Sequence, residues 1–174
     1  MLTQSEIATR QQQANRLFEK AGIFVTQQEQ TSIEIADFGL DDFEVTGLGV
    51  LVYVNTDRCC AKELAMWPGQ TCPEHMHPPI GDDPGKEETF RCRWGTVYLY
   101  VPGEATGNPP CEPPGDHHAY TVWHEIRLEK GDQYTIHPNT LHWFQASEQG
   151  AVVSEFSTRS TDENDIFSDG NIQR

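Results

Sequence analysis

Two histidines one residue apart, His75 and His77, open a stretch of the chain that is rich in groups able to bind a metal ion. Residues two apart on a β-strand project to the same face, so these imidazoles are expected to point into one space. A carboxylate that can add an oxygen ligand follows at Glu88. Residue types and spacing therefore predict a metal site of histidine nitrogens and a carboxylate oxygen.

The rest of this ligand set is open from spacing alone. Cys72 offers an alternative Cys-x2-His-x-His zinc site, although it lacks the second cysteine pair that usually accompanies one. Glu87 is an alternative carboxylate, and only one of Glu87 and Glu88 can face inward because neighbours on a strand face opposite sides. A further histidine could complete the set, and the candidates are His117, His118, His124, His137 and His142.

The elements that must hold these residues are mostly strands. Short segments rich in Val, Tyr, Thr, Trp and Phe, separated by Gly, Pro and Asn, are typical of an antiparallel all-β sandwich or barrel. Strands and helices do not alternate, which argues against a βαβ fold. The predicted strand segments are residues 49–55, 89–103, 119–131, 133–138 and 151–158.

The predicted organisation is a single domain over residues 1–174. One helix is predicted over residues 1–22, because apolar residues from Ile7 to Phe18 recur near helical spacing and Gly22 is placed to end it. The barrel is expected over about 45–160. The polar tail, 161–174, is expected to wrap the surface.

Composition excludes several classes of partner. The chain has 174 residues, 36% of them hydrophobic, and a formal net charge of −15. Nucleic acids and anionic membranes demand a basic surface, so neither is expected as a partner. The beginning of the sequence has no apolar signal region, and five cysteines, two of them adjacent, do not suggest a disulfide framework. We therefore expect a cytoplasmic protein with reduced thiols.

The glycines around the first ligands resemble the first motif of the cupin superfamily, G-x5-H-x-H…E-x6-G. Gly69 lies six positions before His75, and Gly95 lies seven positions after Glu88. The Gly95 register favours Glu88 over Glu87 as the inward carboxylate. Ten residues separate His77 from Glu88, a longer gap than the general pattern has.

The segment GDQYTIHPNTLH, residues 131–142, resembles the second cupin motif, G-x5-P-x-G-x2-H. His137 and Asn139 stand at the Pro and Gly positions of the motif. Asn tolerates the positive φ that such a glycine adopts, whereas the pattern gives no role for His137. The resemblance implies an all-β, jelly-roll-like single cupin barrel with an N-terminal helix, and metal ligands His75, His77, Glu88 and His142.

Two further residues suggest acid–base chemistry beside such a metal. Lys86 would share the inward face of Glu88 if the strand already runs there, and a nearby cation should disfavour its charged form. Glu155 lies on a late strand that would line the same barrel, where its carboxylate could act as a general base. A turn lysine and a strand-edge glutamate are the purely structural alternatives.

Longer stretches of the chain resemble the D-lyxose isomerase family of cupins. They include PEHMHPPIGDDPGKEETFRCRWGTVYLYVPGE, YTVWHEIRLEKGDQYTIHPNTLHWFQA and GAVVSEFSTRSTDENDIF, and the resemblance runs from about residue 66 to 167. It implies a dimeric ketol-isomerase of D-lyxose and D-xylulose, with D-mannose and D-fructose as a second pair. It also implies a divalent cofactor, Mn²⁺ before Co²⁺, Ni²⁺, Fe²⁺ or Zn²⁺, with Lys86 and Glu155 in the acid–base roles. The ten-residue gap belongs to this family's pattern.

The chemistry of such a reaction suggests further contacts and leaves alternatives. Phe90 and Phe144, each two positions from a ligand, could pack against the carbons of the sugar or simply belong to the core. Arg91 and Arg93 should face away from the site, which favours a free sugar over a sugar phosphate. The alternatives are a cupin Fe(II) dioxygenase, a phosphosugar isomerase of the cupin type, and a non-catalytic carbohydrate-binding or metal-storing cupin.

Overall fold

A computed structural model describes residues 2–172, which begin with an N-terminal helix, α1 (Gln4–Lys20). Its first turn is closed by a capping box, in which Thr3 accepts from the Glu6 backbone and Glu6 accepts from the Thr3 backbone. The chain leaves the helix through Gly22 at φ +75°, as predicted. Met1 of the predicted helix and residues 173–174 of the predicted tail lie outside the described residues.

A second, short helix and the strands follow. Helix α2 (Gln27–Ser32) also carries a capping box, formed by Thr26 and Glu29, which the sequence analysis did not use. The strands found within residues 2–172 are β1 (Glu34–Ala36), β2 (Leu48–Asn55), β3 (Cys60–Met66), β4 (Thr71–Met76), β5 (Glu88–Val101), β6 (His124–Glu129), β7 (Gln133–Ile136), β8 (His142–Ser157) and β9 (Ile166–Phe167).

The pairing of these strands produces the predicted all-β cupin barrel with an N-terminal helix. The sheet order is β1-β2-β3-β8-β4-β9, and β5 pairs with β6, β7 and β8. Strand β8 is long enough to pair with β3 through its second half and with β4 through its first half, while β5 runs antiparallel along most of its length. Strands β5 and β8 therefore connect the two halves of the barrel.

Strands β5 and β8 each reverse, at one point along their length, the face that they turn to the core. Inward residues of β5 have even numbers up to Cys92 and odd numbers from Val97 onward, because its register with β8 shifts on either side of Gly95. Gly95 has φ +73°, and a Cβ there would lie 2.1 Å from the carbonyl oxygen of Gly150. Only glycine fits this crossing, which lets one strand line both the site and the opposite end of the core.

The core lies inside the barrel, and α1 covers part of the outer face. Ala14, Leu17 and Phe18 of α1 pack with Ala65 and Val152 of the sheet. A separate aromatic cluster around Tyr100 and Trp143, whose rings stack at 4.0 Å, lies under the loop that joins β5 to β6. In the described part of the chain, no helix is both long and apolar enough to cross a membrane.

Candidate metal and substrate site

Four of the predicted residues converge at one end of the barrel. His75 of β4 is the register partner of His142 at the start of β8, and His77 lies one residue beyond β4. The ligand atoms of the three histidines lie within 4.8 Å of one another. Glu88, the first residue of β5, places Oε1 at 3.1 Å from His77 Nε2 and 3.0 Å from His142 Nε2.

Each imidazole is held through its Nδ1 atom. The Nδ1 atoms of His75 and His142 lie 2.8 Å and 2.9 Å from the carbonyl oxygens of Pro73 and Thr140. A carbonyl oxygen only accepts, so these Nδ1 atoms carry a hydrogen, and in a neutral imidazole the Nε2 atom is then the one with a lone pair for a metal. The Nδ1 atom of His77 lies 2.6 Å from the Asp165 carboxylate. This is the outer arrangement that orients histidine ligands toward a metal.

The inner atoms of this group fit a divalent cation. His142 Nε2 is buried and makes no hydrogen bond with the residues of the described range. Glu88 Oε1 lies 3.0 Å from this nitrogen but outside hydrogen-bonding geometry, so the nitrogen stays available as a metal donor. Three imidazole nitrogens and one carboxylate oxygen are suitable donors for Mn²⁺, Fe²⁺, Co²⁺, Ni²⁺ or Zn²⁺.

The pKa values of His75 and His77 are shifted in opposite directions. Burial lowers the pKa of His75 well below its ordinary value, and the neighbouring histidines add to the effect. Burial alone would also lower the pKa of His77, but the Glu88 and Asp165 carboxylates outweigh it and raise the pKa to about 9. His75 is therefore neutral and ready to bind a cation, and a proton held between His77 and Glu88 must leave when a metal binds.

The balance of formal charge around the site also favours a dication. Two lysine ammonium groups, of Lys62 and Lys86, line the cavity together with four carboxylates. With neutral imidazoles the lining carries two more negative than positive charges, which one divalent cation would balance. The carboxylates belong to Glu88, Glu155, Asp162 and Asp165.

The two predicted acid–base residues form a buried ion pair beside the convergent ligands. Lys86 Nζ lies 3.0 Å from Glu155 Oε1 and 2.7 Å from Glu88 Oε2. The contacts of Glu155 with Lys86, Lys62 and Ser157 all involve Oε1. Glu155 is thus fixed through one oxygen, which leaves Oε2 as the oxygen to meet a substrate.

Lys86 differs from its prediction in two respects. It lies in the loop before β5 and not on an extended strand, yet its side chain is buried against Glu88. The sequence analysis expected a nearby cation to disfavour its charged form. Burial does lower the pKa of Lys86, but the carboxylates of Glu155, Glu88 and Asp162 outweigh burial. They hold the pKa of Lys86 well above its ordinary value.

The structure separates the remaining candidates. Phe90 and Phe144 both line the cavity and contact each other edge to face at 5.0 Å, so they serve the core and the site together. Cys72 lines the cavity too but does not belong to the convergent group of three histidines. Glu87 faces outward and pairs with the exposed His137 at 3.3 Å, which places both away from the site.

The other histidine candidates and the arginines also lie elsewhere. His117 and His118 belong to a short 3-10 helix in the loop after β5, and His124 contacts the backbone of that same loop. Arg91 and Arg93 bind Gln133 and Ser154 outside the barrel, as the alternation predicted. Asn139 has φ +59°, which confirms its interpretation as a substitute for the motif glycine.

The sequence was compared with protein-family models and with characterised proteins. No family model matches the chain. The D-lyxose/D-mannose isomerase of Thermosediminibacter oceani is 62% identical over 175 aligned positions, which cover 100% of this chain and 97% of that protein. The chain belongs to the D-lyxose isomerase family. A D-lyxose ketol-isomerase of a Thermofilum species is 58% identical, again over 100% of this chain and 97% of that protein.

The fold of this D-lyxose isomerase family member is also found in solved structures of low sequence identity. The L-ribose isomerase of Cellulomonas parahominis superposes with a TM-score of 0.82, covering 98% of this chain and 94% of that chain, at 18% identity. At that identity the likeness shows a shared fold. The resemblance stated from the sequence motifs is therefore confirmed for the family and for the cupin-type barrel.

Sequence reasoning missed part of the site of this D-lyxose isomerase family member. Lys62 of β3 lies 2.7 Å from Asp162 and 3.7 Å from Glu155. Asp165 binds His77, and the Phe167 ring stacks on His75 at 5.4 Å. The tail does run along the surface, but its Asp165 and Phe167 side chains turn toward the site, which the sequence analysis did not predict. Two apolar residues directly after an acidic run, in DENDIF, were the only available signal, and it is a weak one.

Proposed function

We propose that the chain is a ketol-isomerase that interconverts D-lyxose and D-xylulose, with D-mannose and D-fructose as a second pair. The observation that carries this proposal is the buried Lys86–Glu155 pair, 3.0 Å apart, beside four convergent metal-binding side chains. An aldose–ketose isomerisation needs such a combination. One proton moves between two carbons, another moves between two oxygens, and an electrophile must polarise the carbonyl group.

A free sugar fits the electrostatics of the cavity better than a sugar phosphate. Lys62 contacts Asp162 and Glu155, while Lys86 contacts Glu88 and Glu155, so both ammonium groups of the lining already face carboxylates. A phosphate dianion would require a basic cluster to bind it. With a dication present the lining is formally neutral, which suits a neutral sugar.

The proposed ligands of the cation are His75, His77, Glu88 and His142, and the proposed metal is Mn²⁺, with Co²⁺, Ni²⁺, Fe²⁺ and Zn²⁺ as alternatives. When bound, a divalent cation supplies Lewis acidity and aligns two neighbouring sugar oxygens. The chain itself contributes the orientation of the ligands through Pro73, Thr140 and Asp165.

Glu155 is proposed to transfer the proton between carbons. Its Oε2 atom removes the proton from C2 of the open-chain aldose and, after exchange with solvent, delivers a proton to C1 of the resulting enediol. Lys62 and Lys86 hold Oε1, so the carboxylate cannot rotate away between the two steps. Such a fixed base contributes about 10²–10⁴-fold to the rate of a proton transfer.

Lys86 is proposed to manage the proton between oxygens. Its ammonium group donates to Glu155 and Glu88 and is the nearest charged donor to the carboxylate that acts on carbon. It can donate a proton to O1 while the O2 hydroxyl proton is returned to it, which conserves its charge. Phe90 and Phe144 supply an apolar wall beside the carbons of the sugar.

The test is isomerisation in D₂O. Protein stripped of metal and reloaded with Mn²⁺ is given D-lyxose, and the products are followed by NMR. We expect D-xylulose that carries deuterium at C1, because a base that exchanges with solvent transfers the proton. D-Xylulose without deuterium would support the isomerase and contradict exchange with solvent at Glu155. No product from D-lyxose or D-mannose would contradict the proposed function.

Replacing Lys86 by methionine should lower kcat about 100-fold while metal content stays the same. Methionine fills much of the space of the lysine side chain and removes the only group that can move a proton at the sugar oxygens in this scheme. Steady-state kinetics and metal analysis of the purified variant check this result. Lys130→Met, at an exposed lysine, is the control. An unchanged kcat would remove Lys86 from the chemistry.

A further inference from the structure

The cavity beside the candidate ligands is too small for a sugar. Its volume is about 30 Å³, room for one or two water molecules. Pockets for small organic ligands usually span about 300–1,000 Å³. A part of the cavity wall must therefore move before any sugar can reach the site.

A second space lies directly outside this cavity. It is a groove of about 290 Å³ between the loop before β5 and the chain after β8. Lys86 lines both the cavity and the groove, and Asp162 lines the cavity while its neighbours Thr161 and Glu163 line the groove. The Lys86–Asp162 contact is thus the partition between the two spaces. Removing it would bring the joined space to the lower end of the usual ligand range.

Asp162 closes this partition through contacts with both lysines. One carboxylate oxygen lies 2.7 Å from Lys62 Nζ, and the other lies 3.7 Å from Lys86 Nζ. The Ser160 hydroxyl also donates to Asp162. The side chain of Asp162 is 22% exposed, whereas those of Lys62, Lys86 and Glu155 are at most 5% exposed. Asp162 therefore lies at the boundary between the buried charges and solvent.

The backbone that carries Asp162 is held at its two ends. Residues 161–164, here called the strap, follow Ser160, which exchanges two hydrogen bonds with the Asn55 side chain, and precede Asp165, which binds His77. Beyond the strap, β9 pairs with β4, and Ser168 donates to Glu74. The other walls of the cavity belong largely to strands with ladder pairing, so the strap is the wall that can move at the lowest cost.

We propose that Asp162 is the gate of the site: in the sugar-free protein its carboxylate occupies lysine contacts that hydroxyl groups of an open-chain sugar take over. The strap then moves outward, and the groove receives the end of the sugar distant from the metal-binding residues. A longer aldose extends farther into the same groove, which accommodates both five- and six-carbon substrates. The identity of the ligand as a sugar rests on the proposed function.

The test uses D-arabinitol, the alcohol that corresponds to D-lyxose and lacks the reacting carbonyl. Its dissociation constant is measured by calorimetry with the Mn²⁺-loaded protein and with the Asp162→Ala and Asp162→Asn variants. Because the alcohol no longer competes with a carboxylate, Asp162→Ala should lower the dissociation constant about tenfold, and Asp162→Asn should lower it less. Asp82→Ala, at an exposed aspartate of the facing loop, should leave it unchanged.

Hydrogen exchange of residues 161–164 provides a second measurement, which a purely structural role of Asp162 would leave unchanged. We expect D-arabinitol to speed exchange of the strap in the wild-type protein, and Asp162→Ala to show fast exchange without ligand. An unchanged or raised dissociation constant, or strap exchange indifferent to the alcohol, overturns the gate. If the protein turns over D-lyxose, the proposed function stands whether or not these two measurements support the gate. If D-arabinitol binds and strap exchange changes as expected but D-lyxose is not converted, only the gate is supported.

Discussion

Replacing Glu155 by glutamine is expected to lower kcat about a thousandfold without loss of metal. Glutamine has the same size and its amide oxygen can still accept from Lys86, which lies 3.0 Å from Oε1 in the native protein. It cannot take a proton from carbon. The cavity should keep its shape, so KM should change far less than kcat, the pattern that marks an interaction made only in the transition state.

The measurement is steady-state kinetics together with the exchange of the C2 proton of D-lyxose into D₂O. Both rates should fall together if Glu155 acts on carbon. Glu87→Gln is the matched control, since Glu87 is exposed and faces away from the cavity. A kcat near the native value in Glu155→Gln would exclude this carboxylate from the chemistry, and loss of metal would make its role structural.

Replacing His75 by alanine is expected to abolish stoichiometric metal binding and activity together. His75 is 6% exposed, is paired in register with His142, and has its Nδ1 atom fixed by Pro73. Loss of an outer partner of a metal ligand typically lowers affinity about 10–100-fold, and loss of a ligand itself should exceed that. No other described imidazole lies near enough to replace it.

Metal content by elemental analysis and the unfolding temperature with and without Mn²⁺ provide the readouts. A metal at 100 times its dissociation constant stabilises the folded protein by about 2.7 kcal/mol, so the native protein should unfold at a higher temperature with Mn²⁺. His75→Ala should lose this increase. His137→Ala, at a side chain that is 79% exposed, should retain it. Full metal content in His75→Ala would refute the ligand assignment.

The convergence of several candidate site residues could be predicted from sequence because strand periodicity is local. Alternation places His75 and His77 together and separates Glu88 from Glu87, and each of these relations needs only neighbouring residues. The positive φ of Asn139 follows from one residue type in the same way. Such features survive folding because no distant contact can reverse them.

Strand β3 shows why other parts could not be predicted. Lys62 and Glu63 lie side by side in its middle, and adjacent charges normally argue against a buried strand. Both are buried because each finds a distant partner on its own face of the sheet: Lys62 inside with Asp162, and Glu63 outside with Ser154. Those partners lie about a hundred residues away along the chain, so no local pattern identifies them.

The contacts of the tail with the site could not be predicted for a related reason. Residues 161–165 are polar and have the composition of a surface segment, but Asp162 and Asp165 turn toward cationic groups of the barrel. A charged side chain is buried only where an opposite charge can pair with it, and the sequence does not show the position of that partner in the fold.

The central position of β8 determines when the site can assemble while the chain is being synthesised. This strand pairs with β3, β4 and β5 and supplies both His142 and Glu155. A nascent chain that has emerged only through β7 has His75, His77 and Glu88 but no strand to bring them together. The candidate metal-binding side chains can therefore converge only after residues up to about 157 have left the ribosome, and until then the earlier strands expose unpaired edges that favour aggregation.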